Sequence, residues 1–311
     1  MEKALNAPVE TTGGIKLFGT SPLSQIVTGF AIIALLYLGL SASEYIYKSF
    51  TRMWKERIEL FPNTYASGSR VFTALQNPNN PLAKTITVSD NQRSGVEFSY
   101  AMFINLSSAT FKDGNQQLYH ILHKGYSKPY PLLGPGVFAC GDRNAIRIFM
   151  NCYDTWDNYT DIENIPVDIW FHLVVSCKGN NMYIYINGNL KSKIALSANT
   201  PPYQNYGDVY LFNQRKMTIT STNVQSLAKD TSDPDTIVSG ASPTQTYTMT
   251  FNGAATGMVS RVYYFSYALT YTEIQSLINM GISTIMDGLD MSISPYLSDT
   301  WWTRNQAPPT H

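Results

Sequence analysis

The hydrophobic pattern divides the chain into an uninterrupted apolar run near the N-terminus and a long alternating region after it. From Ile26 to Ala42 (IVTGFAIIALLYLGLSA) no charged residue occurs. With the neutral flanks Pro22 to Gln25 and Ser43, the run reaches bilayer-spanning length. Residues 22–47 are expected to form a single transmembrane helix behind an N-terminal segment, 1–21. Glu2 and Glu10 dilute the positive charge a cleaved signal would carry, so the sequence predicts a retained anchor. Lys48, Arg52, Lys55 and Arg57 crowd the C-terminal flank against only Lys3 and Lys16 before the span, which places the C-terminal domain on the cytosolic side. Helical periodicity continues through Tyr47, Phe50, Trp54 and Ile58 to Leu60, and Phe61-Pro62-Asn63 reads as its stop. Residues 48–84 are expected as stalk and linker.

Beyond Gly95 the period changes to two. Segments such as EFSYAMFINL, AIRIFMNCY, WFHLVVSC and MVSRVYYFSY are separated by turns every 8–15 residues, the signature of a β-sandwich or barrel. In Met182 to Ile186 aliphatic residues face one way and two tyrosines the other, and Asn187-Gly188 is a type I′ hairpin turn. Thr270 through Glu273 forms a capping box opening a helix that carries Ile274, Leu277 and Ile278 and stops at Gly281. The sandwich is thus expected over 85–283, with 214–250, dense in Ser, Thr and Asp, as a polar excursion. The tail 284–311 shows no clear period and carries Trp301 and Trp302, which suit docking onto a neighbouring surface.

The succession Trp170 to Val175, Met182 to Gly188, Gly257 to Tyr264, then Ala268-Leu269-Thr270 and Glu273-Ile274 resembles laminin-G-like, concanavalin A-like domains. That resemblance implies an all-β, two-sheet antiparallel jelly-roll sandwich, with one transmembrane helix and one short helix as additions. An N-terminal anchor joined to such a domain also resembles structural proteins of large nucleocytoplasmic DNA viruses. The likeness implies a minor capsid component linking an internal viral membrane to the capsid shell, in contact with other capsid or membrane proteins.

Charge and composition narrow the chemistry. The 22 basic and 22 acidic residues cancel, which argues against a nucleic-acid partner. Three cysteines are too few for a disulfide framework. No Glu-x-Asp-x-x-Glu arrangement supplies the paired carboxylates of a glycanase, so the chain is not expected to be an enzyme; a divergent glycan-active enzyme is the weakest reading. Asp154, Asp157 and Asp161, in a stretch read as a loop, offer hard oxygen ligands for calcium, the only cofactor suggested, although the spacing matches no EF-hand and a solvated acidic loop explains it as well. With Trp156, Asn158 and Tyr159, the same Asp154 and Asp157 could form a sugar site, making a membrane-anchored, lectin-like adhesin that binds glycans the alternative function. His120, His123 and His172 make no zinc motif with the cysteines.

Overall fold

The computed structural model describes residues 22–287 apart from 69, 90–95, 113, 154–156, 197–200, 222–223, 230–235 and 240–246. The chain divides into two compact units, Met1–Lys55 and Glu56–His311. Within the first, helix α1 (Pro22–Lys55) is long and apolar enough to cross a membrane.

In the second unit the strands in chain order are β1 (Ile58–Ala66), β2 (Phe72–Ala74), β3 (Glu97–Leu106), β4 (Gln117–Gly125), β5 (Gly136–Cys140), β6 (Ala145–Met150), β7 (Asp157–Glu163), β8 (Phe171–Lys178) and β9 (Asn181–Ile186). They continue with β10 (Asn189–Ala195), β11 (Asp208–Leu211), β12 (Lys216–Ser221), β13 (Val224–Lys229), β14 (Thr236–Ser239), β15 (Tyr247–Ala254), β16 (Gly257–Phe265) and β17 (Met286–Asp287), and helix α2 (Tyr271–Met280) lies between the last two. One sheet runs β17-β1-β16-β3-β8-β9-β10-β14. The other runs β11-β4-β5-β6-β7, with β2 beyond β11, and β15 and β12 along the first half of β4. Strand β13 pairs with β7 of one sheet and β14 of the other. Most pairs are antiparallel, but β1–β17, β10–β14, β13–β7 and β15–β4 are parallel, so the sandwich is mixed where a purely antiparallel one was expected.

Alternation decides which side chains meet. Tyr100, Met102 and Ile104 of β3 face Leu122, Val137 and Ile148 across the main core. The intervening residues of the second sheet, Leu118, Phe138 and Phe149, form another buried cluster with Met249 and Phe251 of β15. That sheet is therefore apolar on both faces, which explains why its strands read as nearly continuous hydrophobic runs. The hairpin β9–β10 turns at Asn187 and Gly188, both at positive φ, and the Thr270–Glu273 capping box of α2 is present in both directions.

Two expectations need correction. The helix ends at Lys55, and Ile58–Ala66, read as helix end, stop and linker, is strand β1, the antiparallel partner of β16. Pairing with β16 buries Leu60, Phe61 and Tyr65, an apolar gain unavailable to an isolated stalk. The 214–250 stretch is likewise built into the sheets through β12 to β15, where Met217 and Ile219 alternate with threonines suited to a half-buried strand.

Candidate functional site

The acidic stretch is strand, not loop: β7 begins at Asp157 and pairs with β6 along its length. Asp154 and Trp156 lie outside the described residues. Asn158 is buried, its Nδ2 reaching Cys152 Sγ at 3.1 Å. Tyr159 packs on Phe149, with the Arg147 guanidinium 4.0 Å from its ring centre, so that face is taken by a cation. Asp161 accepts from Arg147 Nε at 2.7 Å and Nη2 at 2.8 Å, and from Arg143 as well. A carboxylate that receives three donors from two guanidiniums already has its charge compensated, so Asp161 is a structural anion. The strand pleat also separates Asn158 and Tyr159 onto different faces, against a shared sugar platform. Among the described residues no group of three His, Cys, Asp or Glu side chains could hold a metal ion. Trp301 and Trp302 lie outside the described residues.

His120, His123 and His172 are buried in the sandwich. His120 Nδ1 accepts from the Asn213 backbone N–H at 2.9 Å, which leaves its Nε2–H to donate to His123 Nδ1 at 2.6 Å; His123 Nε2–H then donates to the Tyr126 carbonyl at 2.7 Å. This directional chain holds both rings neutral. Burial pushes His123 down to about 4, and His172, packed on Phe103, to about 4 as well.

A cavity of about 390 Å³ opens elsewhere, at one end of the space between the sheets. Its floor is aromatic: Phe98 and Tyr100 of β3, and Tyr264 of β16, whose ring meets Tyr100 edge-on at 5.1 Å. The segment after β2 forms one wall. There Gln76 ties its own turn together, accepting from Ile86 N at 2.9 Å and donating to Lys84 O at 3.0 Å, while Tyr264 Oη donates to Thr87 O at 2.7 Å. The opposite wall is 204–206, pinned by Ser89 N donating to Gln204 Oε1 at 3.0 Å and Asn205 Nδ2 donating to Lys124 O at 3.0 Å. Tyr206 stands at this wall, 79% exposed. The turn after it requires glycine, because a Cβ on Gly207 would lie 2.2 Å from Gly125 O.

Lys124 completes the site. Leu122 and Lys124 share the inward face of β4, opposite Leu211 and Val209 of the core, so the lysine side chain is directed into the sandwich interior. Only 4% of Lys124 is exposed, and its Nζ donates to Gly207 O at 2.6 Å. Burial pushes its ammonium down to about 8, with Asp208 opposing part of that shift. The floor was legible as apolar strand, and a lysine in phase with Leu122 was the one available signal for the cation. The walls were missed because 76–84 falls in the stretch expected as stalk and linker and 203–207 carries no periodic pattern.

Residues 83–218 match the Laminin G-like family model described as the concanavalin A-like lectin/glucanases superfamily. No curated protein matches the chain. Among solved structures it is similar to the binding domain of botulinum neurotoxin serotype D, at 12% identity, 70% coverage of this chain and 41% of that one, with a TM-score of 0.41. It is also similar to the binding domain of botulinum neurotoxin DC in complex with SialylT, at 14% identity, 70% and 42% coverage and a TM-score of 0.43. The chain thus spans about two fifths of the length of these structures. Within the two-sheet β-sandwich, residues 83–218 are thus the part that is similar to concanavalin A-like, laminin-G-like domains.

Proposed function

We propose that the chain is a non-enzymatic, membrane-anchored protein whose jelly roll binds carbohydrate in the cavity beside Lys124. The observation that carries this reading is the lining itself: an aromatic floor, the Gln76, Gln204 and Asn205 amides at its walls, and an exposed tyrosine at the mouth. The exposed Tyr206 ring offers a stacking surface and Gln204 Nε2 an amide donor, groups that suit a sugar ring, and the volume lies in the range of small-molecule sites. The described lining includes no carboxylate, whereas glycoside hydrolysis by the usual route needs two, so these residues suit binding rather than cleavage. Helix α1 supplies the anchor.

Titration of the full-length chain in nanodiscs against a panel of monosaccharide glycosides tests the reading. Tyr206→Ala removes only an exposed ring and should weaken binding roughly tenfold, about 1.4 kcal/mol, without changing the melting temperature. Undiminished binding by this variant would place the sugar elsewhere.

A second reading draws on the charge beside the apolar run. Lys48, Arg52, Lys55 and Arg57 follow it, the flank expected on the cytosolic side of a membrane. A domain anchored on that side suits a structural link between an internal viral membrane and a capsid shell. In sealed vesicles this reading requires protease added on the cytosolic side to digest the β-sheet unit; a protected domain contradicts it.

A further inference from the structure

We propose that the cavity is selective for acidic sugars, and that Lys124 receives the ligand's carboxylate. This inference rests on the carbohydrate reading and names the class of ligand. Lys124 is the single charged residue of the described lining, with neutral amides, aromatic rings and aliphatic groups around it. An ammonium carries three donors, and the structure gives this one a single acceptor, the Gly207 carbonyl. Asp208 is the neighbouring anion, but Oδ1 accepts from the Gln76 backbone N–H at 2.8 Å and Oδ2 lies 3.5 Å from the Tyr210 hydroxyl; no ion pair joins it to Lys124 within 4.0 Å among the described residues. Two N–H donors of a nearly fully buried cation thus remain beside an open cavity.

Burying a cation is costly unless it is paired, and the one carbonyl it reaches, Gly207 O, is neutral and supplies no countercharge. A ligand carboxylate supplies what is missing, one negative charge and two acceptor oxygens for the two remaining donors. A neutral hexose offers Lys124 only hydroxyl oxygens and leaves the charge uncompensated, so the difference between the two ligands reads the proposal directly.

The full-length chain in nanodiscs is titrated calorimetrically with methyl β-glucuronide and methyl β-glucoside, and with the corresponding galacturonide and galactoside. The expected result is at least tenfold tighter binding of the uronide in each pair. In Lys124→Met, a substitution that keeps an unbranched chain and removes the buried charge, the ratio of uronide to hexoside affinity falls to about one. Equal affinity within both pairs for the wild-type chain overturns the proposal and leaves the carbohydrate reading standing. Loss of all saccharide binding in the wild-type chain overturns both. A uronide preference retained by a folded Lys124→Met variant assigns the carboxylate to another group and also overturns it; the wild-type comparison needs no variant to fold.

Discussion

Acidification from pH 7.5 to pH 4 should cost the sandwich at least about 6 kcal/mol, enough to unfold a domain of ordinary stability. The effect comes from histidines that fold neutral. His123 and His172 both lie near 4 in the folded protein, whereas an unfolded histidine titrates near 6.5. Above pH 6.5 neither state binds the proton and stability is complete. Between 6.5 and 4 the unfolded chain takes up protons that the folded chain refuses, so stability falls steadily, by about 3 kcal/mol per histidine at pH 4. Below 4 the folded state begins to titrate and the slope flattens. Geometry supports the sign: in the chain from Asn213 through His120 and His123 to Tyr126, each ring Nδ1 already accepts, so an added proton breaks a bond. Chemical denaturation across this pH range checks the prediction, and a stability constant from pH 7.5 to 4.5 would rule it out. His172→Phe, which keeps an aromatic ring against Phe103 and removes a buried Nδ1 without a partner, should reduce the loss at pH 4 by about 3 kcal/mol.

The histidines also show where the sequence was legible and where it was not. Alternation in MYIYI, the Asn187-Gly188 turn and the Thr270–Glu273 capping box are local rules, and each reappears in the structure unchanged. What local rules miss is pairing between distant segments. Residues Ile58–Ala66 carry both a helical stripe and a Pro-Asn stop, and only β16, about 200 residues later, makes them a strand. The same limit hid the cavity, whose aromatic floor comes from β3 and β16 while its walls come from two apparently irregular segments. A dense cluster of acids was, by contrast, an obvious local signal that misled, because Asp161 has its countercharges on β6 and on the turn before it rather than in solvent.

Asp161→Ala should therefore destabilise the fold by about 3 kcal/mol, a drop of roughly 6–12 °C in the melting temperature of a domain this size. The Arg147 side chain is 18% exposed, and without Asp161 its guanidinium keeps the stack on Tyr159 but loses both carboxylate oxygens. Most of the cost is the stranded cation rather than the net worth of the pair, since a buried ion pair roughly breaks even against apolar residues of similar volume. The double variant Arg147→Leu with Asp161→Leu should accordingly recover most of what Asp161→Ala loses, and thermal melts of the three proteins decide the matter. Additive losses in the double variant would show that the pair itself, not the unpaired charge, holds β6 to β7. Glu163 does not rescue the single variant: it faces Arg143 at 3.9 Å, is largely exposed, and pairs across from Ala145 at the far end of the ladder. Calcium occupancy at Asp161 has the opposite signature, because a site built on that carboxylate would raise the melting temperature of the wild-type chain on calcium addition, whereas a carboxylate held by Arg143 and Arg147 leaves it unchanged.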